Sequence, residues 1–132
     1  MCIVKEKHTK YIKEKKMSIR RAVRKVVVNT EEERKRSFIL EYYTLEKEIY
    51  VEGESYNTYG IEVLKREATD LGTLRIEYRK VFDIFCTEDE ARSVANILAD
   101  NTVTPVSVRD IIEQFIGTDE IECEEYEIVM AV

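Results

Sequence analysis

The sequence predicts an α+β fold: a three-stranded antiparallel meander with a C-terminal αα-hairpin on one face, preceded by a basic N-terminal arm or helix. Three observations lead there. Between Phe38 and Cys86 apolar residues recur at alternate positions, which is the period of a strand. After Thr87 they recur three and four apart, the period of a helix. Gly53 and Gly72 interrupt the alternating stretch, and a chain reversal at each would set neighbouring strands antiparallel.

The arm is residues 1–36, with 13 Lys/Arg against 5 Asp/Glu, while residues 37–132 carry 8 against 22. The net charge of −6 therefore hides a basic arm attached to an acidic domain. "KEKHTKYIKEKK" has no steady apolar period and is expected to be disordered. Lys13-Glu14 can be encoded by a ribosome-binding sequence just ahead of Met17, so translation is expected to start there. In "MSIRRAVRKVVVN", Ile19, Ala22, Val23 and Val26 have helical spacing, which allows a short helix over 18–28. Val26 to Val28 are β-branched, so a strand is the rival reading.

The domain itself is read as residues 37–117. In "SFILEYYTLEK", Phe38, Leu40 and Tyr42 share one face, and Ile39, Tyr43 and Leu45 share the other. In "YNTYGIEVLKRE", Tyr59, Ile61 and Val63 lie opposite Glu62 and Arg66. In "TLRIEYRKVFDIFC", Leu74, Ile76, Tyr78, Phe82, Ile84 and Cys86 are assigned to the core face, with Arg75, Glu77, Arg79 and Asp83 pointing away. The first helix gathers Ala91, Val94, Ala95 and Leu98 after a Thr87–Glu90 capping box, with Asn101 as a left-handed cap. "NTVTPVSVRDIIEQFIG" reads as a join and a second helix. Ser107 is the expected N-cap, Val106 and Ile111 a staple, Pro105 a stiffener and Gly117 the stop. Residues 118–132 are an acidic tail or an edge strand.

Several chemistries are disfavoured by what the residues supply. His8 is the only histidine and lies in the arm, which argues against histidine catalysis. One His and three scattered Cys do not match a zinc site, and four unclustered glycines offer neither a P-loop nor a dinucleotide fingerprint. Cys2, Cys86 and Cys123 are read as free thiols of a reducing cytoplasm, with Cys86 a buried structural one. "TEDE" is read as helix capping rather than a cation site. The tyrosines between 42 and 78 are read as sheet packing, since an acidic domain repels phosphate.

At "YGIEV" (59–63), the long strand after it and "NTVTPVSVRDIIEQFI", the chain resembles a family of small uncharacterised proteins from Gram-positive bacteria, known as a domain of unknown function. The resemblance covers about residues 38–116 and implies one bacterial, cytoplasmic domain. It brings no catalytic residue, ligand or cofactor.

The expected function is a small, non-catalytic cytoplasmic interaction or regulatory module, with no cofactor, no metal and no membrane span. Ile39, Tyr43 and Leu45 form an apolar stripe among charges, a surface for a protein partner or a homodimer. The alternative is a nucleic-acid-associated protein that uses Arg20, Arg21, Arg24 and Lys25 for weak, charge-driven contacts.

Overall fold

The computed structural model describes residues 19–29, 37–117 and 122–131. It has five strands and two helices: β1 (Ile19–Asn29), β2 (Ser37–Val51), β3 (Glu54–Ala68), β4 (Thr73–Phe85), α1 (Glu88–Asp100), α2 (Pro105–Ile116) and β5 (Glu122–Ala131). The strands form one antiparallel sheet in sequence order, β1-β2-β3-β4-β5. The α+β class and the helical hairpin are as the periodicities indicate; the strand count is five rather than three.

Both additional strands come from segments with two readings. The 19–29 segment is a strand and not a helix. Its four residues at helical spacing are outweighed by the β-branched run Val26–Val28 and by the free edge of β2, whose backbone groups β1 satisfies. The acidic C-terminal segment likewise pairs along β4 from Thr73 to Phe82.

The β2–β3 turn is two residues long. Glu52 (φ 53) and Gly53 (φ 82) are both left-handed, the mirror-image turn whose twist matches that of the flanking strands.

Both helices pack on one face. Leu40, Tyr42, Ile61, Val63 and Val81 meet Ala91, Ala95, Leu98, Val108 and Ile112 in a continuous core. The small alanines let α1 approach the sheet closely. Thr87 caps α1, its hydroxyl accepting from the Glu90 amide at 3.2 Å as the capping box requires.

The helix join differs from expectation in two details. Asn101 keeps a negative φ, and Thr102 (φ 48) is the left-handed residue. The Thr102 and Val103 amides donate to the Ala99 and Leu98 carbonyls, which closes α1 in a Schellman motif. Helix α2 starts earlier than expected, with Thr104 at the N-cap position and Pro105 as its first residue; Ser107 lies inside it, and Val106 is exposed. Proline wins because its missing N–H and fixed φ suit the first helical position. The Tyr42 hydroxyl reaches across and donates to the Val103 carbonyl at 2.8 Å, pinning the join to β2. Burial raises the Tyr42 pKa to about 12, so it remains a donor at neutral pH.

One irregularity decides which way β4 faces. Tyr59 pairs with Phe85 and Ile61 with Val81, so Gly60 of β3 opposes Phe82, Asp83 and Ile84. A Cβ on Gly60 would lie 2.0 Å from the Val81 carbonyl oxygen, so this bulge needs glycine there. Before the bulge, Arg75, Glu77, Arg79 and Val81 lie on the helix-bearing face, and Leu74, Ile76 and Tyr78 lie on the other. After it, Ile84 and Phe85 both enter the core. This reverses the facing expected for residues 74–82. The sequence reading carries the face of Ile84 back through a bulge that shifts it.

Candidate functional site

The face of the sheet opposite the helices carries no described element. The pairing register arranges its side chains in rows that cross all five strands. One row is Val27, Ile39, Arg66, Ile76 and Ile128. The next is Lys25, Glu41, Leu64, Tyr78 and Tyr126, and the third is Ala22, Tyr43, Glu62, Lys80 and Glu124. The first row is apolar on both sides of a single arginine. Val27 is 59% exposed, Tyr126 54% and Ile128 41%, and the Tyr78 and Tyr126 rings stack at 5.4 Å. The apolar side chains fall in two groups, Val27 with Ile39 and Ile76 with Ile128, Tyr78 and Tyr126, separated by the Arg66–Glu41 ion pair.

The third row is ionic and holds an unusual group. Glu62 is buried at 2% exposure, on the face away from the two described helices. Arg20 lies 2.9 Å from its carboxylate. Burial raises the Glu62 pKa, and the positive charges of Arg20 and Lys80 partly offset this. The Arg20 guanidinium also sits 3.6 Å from the centre of the Tyr43 ring. The Tyr43 hydroxyl donates to Glu41, and Arg66 pairs with the same carboxylate at 3.1 Å. Burial and that hydrogen bond raise the Tyr43 pKa to about 12.

Toward the β2–β3 turn, Asp83 (φ 56) is buried; it accepts from the Thr58 hydroxyl at 2.5 Å and lies 3.5 Å from Lys47. A buried carboxylate with two partners in the bulge serves to hold it.

Ile39, Tyr43 and Leu45 do share the face away from the helices. They are not equivalent. Leu45 is buried, Tyr43 is half-covered by Arg20, and Ile39 belongs to the apolar row. The four basic residues are not brought together. Arg20 and Lys25 lie on the helix-free face, and Arg21 and Arg24 on the helix side. Arg21 pairs with Glu46 at 3.0 Å and Glu88 at 3.6 Å, and Arg24 with Asp100.

Sequence reasoning missed Leu74, Ile76, Tyr78, Tyr126 and Ile128 as members of this surface. One signal for the β4 residues was present: Val81 is apolar in the otherwise charged alternate set, and it belongs to the core. Cys86 is exposed rather than buried, while Cys123 is a free thiol whose pKa burial raises. Among the described residues no group of three or more His, Cys, Asp or Glu could hold a metal ion, and no helix is long and apolar enough to cross a membrane. A cleft of about 500 Å³ between the helices is lined by Ile97, Val103, Ile111, Phe115, Asn101 and Gln114.

Fold and surface define a small α+β domain: a five-stranded antiparallel meander with two helices on one side and a mixed apolar and ionic sheet face on the other. The model of a family of unknown function, DUF6514, matches residues 21–118, and the chain belongs to that family. The match takes in most of β1, so the family's domain starts well before residue 38. No curated protein and no solved structure matches the chain.

Proposed function

We propose that the protein is a non-catalytic interaction module of the bacterial cytoplasm, in a Gram-positive cell, and that it docks a protein through the helix-free face of its sheet. The observation that carries this reading is the row of Val27, Ile39, Ile76 and Ile128 with the stacked Tyr78 and Tyr126 beside it. Exposed aromatic and aliphatic side chains are the usual anchors of a protein interface. The nucleic-acid alternative gains no comparable support, because three of the four basic residues are held by carboxylates on two different faces.

A photo-crosslinking side chain in place of Tyr126, activated in the native cell, tests the reading. The expected product is a protein adduct that disappears when Ile128→Lys is added. Adducts to nucleic acid, or none at all, would count against it. Fractionation of the same cells tests the cytoplasmic assignment.

A further inference from the structure

We infer that two copies of this chain join along the outer edge of β5, strand to strand, about a twofold axis normal to the sheet. The inference does not rest on the reading of the helix-free face as a docking surface; it adds a partner at the margin of the sheet.

The two edges of the sheet are unlike. Strands β1 and β5 end the strand order, so each presents backbone N–H and C=O groups that no described strand takes up. The β1 edge is guarded. It carries Arg20, Arg21, Arg24 and Lys25, and a register shift between Ala22 and Arg24 breaks its line. Strand β5 has neither device. It runs beside β4 from Glu122 to Ala131 without a shift in register, contains no Lys, Arg or Pro, and is uncharged from Ile128 to Ala131. Tyr126 and Ile128 on one face are 54% and 41% exposed, and Val129 on the other is 59% exposed, so both faces are open beside the edge. A long, regular edge of this kind accepts another strand.

The strand is complementary to itself when reversed, because its acidic half, 122–127, then meets its uncharged half, 128–131. A twofold normal to the sheet pairs β5 with β5 antiparallel and keeps every side chain on its own face. Outward backbone groups alternate along a strand, so the axis passes beside a residue and not between two. Centred on Glu125 or Glu127, the pairing sets that glutamate against its own copy. Centred on Tyr126, it sets Glu125 against Glu127. Centred on Ile128, it pairs residues 125–131 of the two copies with no acid opposite an acid. Ile128 then meets Ile128, and Glu127 meets Val129. Arg75 and Arg79 already hold Glu127 and Glu125 at 2.8 and 2.7 Å, which lowers the charge of the edge. The result is one continuous antiparallel sheet with the helices of both copies on the same side. Leu45, Glu62 and Leu64, on β2 and β3, stay buried and take no part. Only the guarded β1 edges remain outside, so assembly stops at two.

Sedimentation of the full chain across a wide concentration range tests this. The wild type should approach twice its 15.6 kDa mass. Substitutions of opposite charge at Val129 read the register, since that residue faces Glu127 of the other copy. Val129→Glu should raise the dissociation constant at least about tenfold, and Val129→Lys should leave it unchanged or lower it, with far-UV circular dichroism the same in both. Ile128→Glu sets a carboxylate against its own copy and should weaken association as Val129→Glu does. A wild type that stays monomeric, a dimer indifferent to both glutamate substitutions, or equal weakening by Val129→Glu and Val129→Lys would overturn the inference. A monomer that still gives a Tyr126-dependent adduct to a different protein would remove the second copy and leave the docking face standing. A dimer that gives no such adduct would keep the edge pairing and remove the docking reading.

Discussion

The two faces of the sheet treat the same strand in opposite ways. On the helix side, β4 presents Arg75, Glu77 and Arg79 before Val81 reaches the core. Arg75 pairs with Glu127 at 2.8 Å and Glu77 at 2.9 Å. Arg79 pairs with Glu125 at 2.7 Å and donates to the Val106 carbonyl of α2. On the other side, the intervening Leu74, Ile76 and Tyr78 join an apolar surface with no described element above it. The helices cover only part of their face, and the remainder is ionic; the opposite face of β4 is apolar where the helix side is charged. An apolar strand face therefore marks a surface that needs cover, and which element covers it is a separate question.

The largest expected effect separates the two faces by stability. Ile61→Ala, in the helix-covered core, should cost about 4 kcal/mol in urea denaturation. Ile128→Ala on the opposite face, where Ile128 is 41% exposed, should stay within about 0.5 kcal/mol in dilute protein. Comparable losses at both positions would show that Ile128 belongs to a core and not to the surface. Next comes the bulge that sets the facing. Gly60→Ala should cost about 3 kcal/mol, because its Cβ meets backbone that cannot swing aside. A Gly60→Ala protein as stable as the wild type would mean that the bulge can relax and β4 can re-register.

A smaller effect belongs to the helix side. Tyr42→Phe removes the buried hydrogen bond to Val103 and should cost about 1 kcal/mol, since the carbonyl loses its Tyr42 donor. Amide exchange at Thr102 and Val103 should quicken in the same variant, and unchanged exchange there would separate Tyr42 from the join.

The smallest effects are two pH slopes of opposite sign on the face away from the helices. Burial raises the Glu62 pKa above its ordinary 4.5, so its contribution to stability is complete below that value and is lost as pH rises through the folded one. Burial also opposes ionisation of Glu41, but hydrogen bonding from Tyr43 and the charge of Arg66 outweigh it and leave the pKa lowered. Its contribution is present above 4.5 and is lost as pH falls through the depressed value. Glu62→Gln should therefore flatten the loss of stability on raising pH, and Glu41→Gln the loss on lowering it. Equal, pH-independent shifts in urea midpoint for the two variants would show that neither carboxylate titrates as its surroundings require.

Much of this architecture was legible in local pattern. The alternation of Phe38, Leu40 and Tyr42 with Ile39, Tyr43 and Leu45 gives the facing of β2, and Tyr59, Ile61 and Val63 give that of β3. Thr87 with Glu90 marks the start of α1, and Gly117 (φ 70) ends α2. The candidate site was legible only in part. Ile39 and Tyr43 were visible as a stripe on β2, but the stripe continues across β4 and β5, and that continuation depends on pairing partners that one strand's pattern does not name. The basic residues of β1 resembled a patch because spacing along a chain does not show that Glu62, Glu46 and Asp100 are waiting across the sheet and on α1.

What the sequence determined by itself is short-range: the period of each segment, the left-handed turn at Gly53, the cap at Thr87 and the stop at Gly117. Each follows from backbone and side-chain preferences acting over a few residues. What the tertiary structure alone decided is the strand state of 19–29 and 122–131, the facing of β4 and the rows that cross the sheet. Those depend on backbone hydrogen bonds between residues far apart in the chain and on a bulge opposite Gly60. A shift of one residue there moves every side chain before it to the other face.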